Sequence, residues 1–234
     1  MLDGVSLAIA TGEVVVLLGR SGAGKSTMLR LVNGLLLPTS GVVRVDGRDT
    51  RHWDPIALRR RIGYVLQEGG LFPHMRVADN VAVVPRLEGW PPATVDARVR
   101  EMLDLVDLPA DRFAARWPDE LSGGQRQRVG VARALAADPP VLLMDEPFGA
   151  LDAMTRAELQ QQMARLQRQL RKTILIVTHD LDEARILGDR LCIIDAGGLQ
   201  TCVDVAAFDT SDDPVVAALR EARPSRQPRA ERSS

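Results

Sequence analysis

Lysine is almost missing from this sequence: of 30 basic residues, only Lys25 and Lys172 are not arginine. A residue type so scarce carries more information at a motif position than a common one would. Long apolar runs are also missing. Residues 14–18 and 174–177 are the longest stretches of interest, and both fall far short of the roughly 20 residues that span a bilayer. No N-terminal stretch has the basic, apolar and small-residue layout of a signal peptide. Neither sign of charge is in excess: the formal net charge is -1, which gives no electrostatic case for nucleic acid as a partner. Cysteine is limited to Cys192 and Cys202, whose spacing fits neither a CxxC metal pattern nor a disulfide framework. They are expected to be two reduced thiols in or near a core. These absences point to a cytosolic chain whose membrane role, if any, comes through a partner.

What is present suits a globular fold. The 234 residues, 45% hydrophobic and 26% charged, suffice for one sizeable core with a smaller lobe attached. Residues 13–18 (E-V-V-V-L-L) form an apolar run ending at glycine, the pattern of a fully buried strand. A glycine-rich turn follows, then a helical stretch over 26–32. Residues 141–145 (V-L-L-M-D), 173–178 (T-I-L-I-V-T) and 191–195 read as further buried strands. Helical patterns over 125–137, 153–170 and 181–187 separate them. Buried strands alternating with helices predict an α/β fold, a mostly parallel sheet covered on both faces. Between about 77 and 121 the sequence turns strand-poor, with Pro85, Pro91, Pro92, Pro109 and Pro118 as breakers and an amphipathic helix over 95–106. This stretch reads as a helical lobe inserted into the α/β core. Residues 224–234, rich in Pro, Arg and Ser, read as a disordered tail.

The loop G-R-S-G-A-G-K-S-T (Gly19, Arg20, Ser21, Gly22, Ala23, Gly24, Lys25, Ser26, Thr27) satisfies G-x-x-x-x-G-K-[ST] between a buried strand and a helix. Its glycines let successive backbone N–H groups point at phosphate oxygens, and the helix start adds its positive dipole end. Lys25 is placed to reach the β- and γ-phosphates of ATP and the Ser26 hydroxyl to ligate Mg²⁺, with Thr27 able to add a contact to the α-phosphate. Asp145 ends the 141–145 strand at the carboxyl edge, where nucleotides bind in open α/β sheets. It is a second candidate Mg²⁺ ligand. Glu146, next in the chain, could polarise the attacking water. His179 closes another strand and could sense the γ-phosphate or be merely structural. Gln67, after an apolar run over 62–66, could ligate metal or water.

A second glycine-rich motif, L-S-G-G-Q (Leu121, Ser122, Gly123, Gly124, Gln125), opens an Arg-rich helix and offers another anion-binding helix start. Taken in order, these motifs resemble the ATP-binding-cassette (ABC) ATPases over roughly residues 2–205. The phosphate loop matches Walker A, Gln67 the Q-loop glutamine, L-S-G-G-Q the signature, V-L-L-M-D Walker B with Glu146 as catalytic carboxylate, Ala150–Asp152 the D-loop, and His179 the switch histidine. The resemblance implies a P-loop NTPase with a RecA-like core (1–70 and 122–208), a helical subdomain (about 71–121), small antiparallel β elements and a tail over 209–234. It also implies a head-to-tail dimer with a second copy or a paralogue, each ATP gripped between one Walker A loop and the other chain's signature. Asp152 would then face the nucleotide, and Gln67 would join Ser26 and Asp145 around Mg²⁺. The helical lobe would dock integral membrane permease subunits, placing the chain peripherally on the cytoplasmic face of the inner membrane.

The text around residues 67–90 and D-E-P-F-G-A-L-D-A-M-T-R is similar to the bacterial osmoprotectant importers, which take up glycine betaine, choline, carnitine or proline with an extracytoplasmic solute-binding protein. Another importer, or a soluble cassette protein outside transport, is the alternative. Three features depart from the pattern. No aromatic residue precedes the phosphate loop, so the adenine contact is unassigned. The chain ends too soon for the regulatory CBS domains of some osmoprotectant cassettes, so ionic-strength sensing by that route is not expected. The stretch from Arg220 to Arg232 carries five Arg against two Glu, better read as a solvated tail than as a lipid contact.

Overall fold

The computed structural model describes residues 2–221. Its central strand, β1 (Val14–Leu18), is buried throughout, and the twofold period of a strand sends its side chains to two cores. Val14, Val16 and Leu18 enter one cluster, Val15 and Leu17 the other. After β1 come α1 (Lys25–Val32), a small hairpin of β2 (Arg44–Val45) and β3 (Arg48–Asp49), α2 (Pro55–Arg60) and β4 (Ile62–Val65). The next stretch is helical: α3 (Val77–Leu87), α4 (Pro92–Leu105) and α5 (Ala110–Phe113). The chain then alternates through α6 (Gly123–Leu135), β5 (Val141–Asp145), α7 (Ala153–Leu170), β6 (Thr173–Thr178), α8 (Leu181–Leu187) and β7 (Arg190–Asp195). It closes with β8 (Gly198–Asp204) and α9 (Pro214–Glu221).

The six-stranded sheet has the order β4-β5-β6-β1-β7-β8, parallel except for the β7/β8 pair. Helices and loops cover both faces, which is why the inner strands can be apolar without alternation. Local signals set the ends of several helices. Asp152 accepts hydrogen bonds from the N–H groups of Met154 and Thr155, and Asp180 accepts one from Asp182, so α7 and α8 both begin at a carboxylate cap.

Three expectations meet the structure differently. Pro85 lies inside α3 instead of ending it. It falls in the last turn, where the helix needs only two more residues before its cap at Glu88. Cys192 and Cys202 are not reduced thiols: they are joined as a disulfide. The antiparallel register sets them directly opposite each other, with Cα atoms 4.1 Å apart, and spacing along the chain carries no sign of that pairing. Within the stretch read as a tail, α9 packs Val216 fully into the core; the residues from 224 onward read as disordered lie outside the described residues.

Candidate active site

The parallel register assembles the site. Leu18 on β1 stands opposite Thr178 on β6, and Asp145 on β5 opposite Val177. The residues that follow these strand ends, Gly19, Glu146 and His179, therefore emerge at one carboxyl edge. The ladder continues one step past β5, with the Glu146 N–H donating to the Val177 carbonyl at 2.9 Å.

Between β1 and α1 the chain needs glycine for two different reasons. Gly22 and Gly24 take φ of 82° and 101°, left-handed values that a side chain resists. Gly19 instead faces β7: a Cβ there would sit 2.2 Å from the Ile194 carbonyl oxygen. Gly19→Ala is expected to destabilise the fold by about 1–3 kcal/mol, the usual cost of forcing atoms into a packed site. Denaturant unfolding measures this, and a change below about 0.5 kcal/mol would show that the two strands can part cheaply. Arg20, Ser21 and Gly22 are exposed, Ala23 is buried, and Ser26 and Thr27 are half-buried in the first turn of α1. The Lys25 side chain folds back beneath the loop, its Nζ donating to the carbonyls of Gly19 at 2.7 Å and Arg20 at 3.0 Å.

Across from α1, the Ser26 hydroxyl donates to Asp145 Oδ1 at 3.0 Å, while the Tyr64 hydroxyl lies 3.4 Å from Oδ2. Both oxygens of the carboxylate are thus engaged. Burial first, and then the neighbouring Asp145 charge, push Tyr64 up to about 12, so it remains a protonated donor near neutral pH. Tyr64 escapes the sequence reading. Its only signals are that it is the sole tyrosine and that it precedes Gln67 by three residues on the strand beside β5.

Glu146 has φ of 44°, a left-handed conformation that costs a non-glycine residue roughly 1–2 kcal/mol. Its Oε2 lies 3.3 Å from His179 Nδ1. A Cβ built on Gly149 would be 3.5 Å from Gln67 Nε2 and 3.6 Å from Glu146 Oε2, so the amide and the carboxylate approach the same point. The fold brings Gln67, Glu146 and His179 together from three separate segments. The turn bearing His179 is fixed from below. Thr178 Oγ1 donates to Glu183 Oε2 at 2.5 Å and accepts from the Asp180 N–H at 3.0 Å. Burial raises the Glu183 carboxyl. Neither Thr178 nor Glu183 is flagged by any motif pattern, since both act through another residue.

The second glycine-rich motif lies apart. Ser122 caps α6 in a reciprocal box: its Oγ accepts from the Gln125 N–H at 3.3 Å and its own N–H donates to Gln125 Oε1 at 3.0 Å. Gly124 has a packing reason as well, because a Cβ there would meet Thr155 Cγ2 on α7 at 2.4 Å. Gly123 and Leu151 line a cleft of about 190 Å³ with Arg126, Gln127, Pro147 and Ala150. The Asp152 carboxylate is occupied with the α7 cap. Among the described residues, no hydrogen bond joins the Ser122–Gln125 segment to the Gly19–Thr27 loop. The larger cavity, about 600 Å³, is lined by residues 5–9, Met28 and the first residues of β5 and β6. It belongs to the opposite, amino edge of the sheet and takes no part in this site.

A divalent ion fits the Ser26/Asp145 pair. Both groups offer hard oxygen ligands, and among the described residues no group of three or more His, Cys, Asp or Glu could cage a metal alone. That combination suits Mg²⁺, which takes one or two protein oxygens together with phosphate oxygens and water.

Residues 2–149 match the family model described as ABC transporter. The chain belongs to the ABC transporter family. Among curated relatives, the osmoprotectant import ATP-binding protein OsmV of Salmonella typhimurium is 50% identical over 201 residues, covering 86% of this chain and 53% of that protein. The glycine betaine/carnitine/choline transport ATP-binding protein OpuCA of Bacillus subtilis is 51% identical over 196 residues, covering 84% of this chain and 51% of that protein. The sulfate/thiosulfate import ATP-binding protein CysA of Methylococcus capsulatus is 47% identical over 203 residues, covering 85% and 57%. The cassette thus spans about half the length of the curated relatives it matches. Among solved structures, the dimeric, post-hydrolysis state of the ATP-binding cassette MJ0796 bound to ADP and Pi superposes with a TM-score of 0.78 at 37% identity, covering 87% of this chain and 90% of that one. The fold is that of an ABC cassette, with a mostly parallel P-loop core.

Proposed function

We propose that this cassette binds and hydrolyses Mg-ATP as the motor subunit of an importer, most specifically an osmoprotectant importer. The observation that carries the reading is the convergence of Lys25, Ser26, Asp145, Glu146, Gln67 and His179 on one edge of the sheet beside the left-handed glycines of the phosphate loop. Loop N–H groups and the α1 dipole receive the phosphates, and Lys25 exchanges its two carbonyl partners for phosphate oxygens. Ser26 and Asp145, with Gln67, would hold Mg²⁺, which when bound would neutralise charge on the phosphates. Glu146 accepts a proton from water as the water oxygen bonds to the γ-phosphorus. The bond from that phosphorus to the bridging oxygen breaks, and ADP carries the electron pair away. His179, 3.3 Å from Glu146, orients the carboxylate and contacts the γ-phosphate.

The N-terminus of α6, with Ser122 exposed, is a second helix start suited to phosphate and lies apart from the Gly19–Thr27 loop of its own chain. A second copy or a paralogue facing head to tail would bring it to the partner's ATP. The dimeric neighbour supports this reading. Among the described residues no helix is long and apolar enough to cross a membrane, so coupling to transport falls to separate permease subunits reached through the helical lobe. The importer relatives support that assignment and a place at the cytoplasmic membrane face. Their names favour glycine betaine, choline or carnitine as solute, delivered by an extracytoplasmic binding protein.

Replacing Lys25 tests the phosphate site. Lys25→Ala removes charge-assisted hydrogen bonding to the phosphates, a loss of about 1.5–3 kcal/mol in all, so ATP affinity should fall roughly ten- to hundredfold in equilibrium titration. Undiminished affinity would refute the loop as the nucleotide site. The solute is tested by reconstitution in vesicles with candidate permease subunits. ATP-driven glycine betaine or choline uptake is expected, and uptake of sulfate alone would reassign the importer.

A further inference from the structure

The segment that leaves β4 with Gln67 is anchored not by its own strand but by the helix that begins with the second glycine-rich motif. Four contacts from three successive turns of α6 do this. The Gln127 amide donates to the Leu66 carbonyl at 3.3 Å. Gly130 touches Gly69 so closely that a Cβ on Gly130 would lie 2.9 Å from both the Gly69 Cα and its oxygen. Arg133 then forks across the turn, Nη2 donating to the Gly69 carbonyl at 2.9 Å and Nη1 to the Gly70 carbonyl at 2.8 Å. Its guanidinium carbon also sits 5.6 Å from the centre of the Phe72 ring.

The two carbonyls Arg133 holds belong to residues whose own backbone preferences do not select this shape over others. Gly69 and Gly70 have φ of 76° and 54°, a pair of consecutive left-handed residues. A turn built from two glycines has large conformational freedom to lose, and a bidentate guanidinium limits that freedom by fixing both acceptors in one plane. The far end of the segment is fixed separately. The buried Asn80 side chain accepts from the Phe72 N–H and donates to the carbonyls of Phe72, Met75 and Arg76.

We infer that Arg133 is a positioning residue for hydrolysis: it locks the Gln67 turn onto α6, so that Gln67 and the Ser122–Gln125 helix start are set as one body. Burial keeps the guanidinium below its ordinary value, yet it stays charged at any working pH because arginine titrates so high. The fork geometry is therefore what the position requires. The inference rests on the assignment of Gln67 to the nucleotide site.

The test is a double-mutant cycle in ATP hydrolysis by the full chain. Arg133→Met should lower kcat about tenfold while KM for ATP changes less than about twofold, since it misplaces a reacting-state contact without touching the phosphate loop. In a Gln67→Ala background the same replacement should add less than about a twofold loss, because the residue it positions is gone. A general structural role would instead give the same fold-loss in both backgrounds, and that result overturns the inference. Gly130→Ala asks the same question without altering charge, by pressing on Gly69, and serves if Arg133→Met unfolds. It should likewise lower kcat alone and add little to Gln67→Ala. If Gln67→Ala by itself leaves turnover unchanged, the assignment of Gln67 to the nucleotide site fails, and the inference about Arg133 falls with it.

Discussion

Glu146→Gln is expected to slow ATP turnover by roughly 10² or more while leaving ATP binding in place, because the variant removes the proton acceptor and little else. A hundredfold loss corresponds to about 2.7 kcal/mol of transition-state stabilisation. The argument for a clean effect is structural. Glu146 owes its position to the backbone: its N–H is tied to Val177 and its φ is left-handed. The amide of glutamine has the same shape as the carboxylate and can still meet His179 Nδ1, now 3.3 Å from Oε2. Neither Lys25 nor the Ser26/Asp145 pair touches the altered atoms. A nucleotide that binds but is not cleaved should also hold the closed dimer together, which size-exclusion chromatography with Mg-ATP would detect. Turnover within a few-fold of the parent chain would remove Glu146 from its assigned role and return the question to His179 or Gln67.

The reading from sequence and the folded chain agree best where one residue marks a boundary. Helices over 153–170 and 181–187 and strands over 141–145 and 173–178 coincide with α7, α8, β5 and β6. Asp152 and Asp180 cap the two helices, and the strands are unbroken apolar runs, so local chemistry suffices. The shape of the Gly19–Thr27 loop is legible for the same reason: its left-handed glycines and the start of α1 are neighbours in the chain. What stays hidden acts across distance. The Cys192–Cys202 disulfide depends on the β7/β8 register, and β8 itself is half-exposed with no strong pattern. Tyr64, Glu183 and Arg133 each hold another residue in place from a different element. No period or motif records such a relation. The glycines of the second motif illustrate both cases. Gly124 is read as part of a phosphate-binding helix start, yet α7 crosses so near, with Thr155 Cγ2 at 2.4 Å from where a Cβ would be, that packing alone demands a glycine.

Two inactive variants should rescue each other, and this is the sharpest test of the shared site. Ser122 is exposed at the N-terminus of α6, and Ser122→Arg places a long cation where the partner's triphosphate would enter. The lost cap costs about 1 kcal/mol, too little to unfold a domain of this size. The phosphate loop of the same chain is untouched, so ATP binding to the monomer should persist while hydrolysis disappears. When Ser122→Arg chains are mixed with Glu146→Gln chains, each mixed dimer has one site with both defects and one with neither. The intact site combines Lys25, Asp145 and Glu146 from the first chain with Ser122 from the second. Random pairing in an equal mixture then restores up to about a quarter of the parent activity, since half the dimers are mixed and half their sites are whole. Neither chain alone has any route to that activity. If each site were complete within one chain, every site in the mixture would still carry a defect and no ratio would give turnover. Rescue that peaks at equal amounts of the two chains is therefore the expected result, and a flat baseline would confine catalysis to a single protomer.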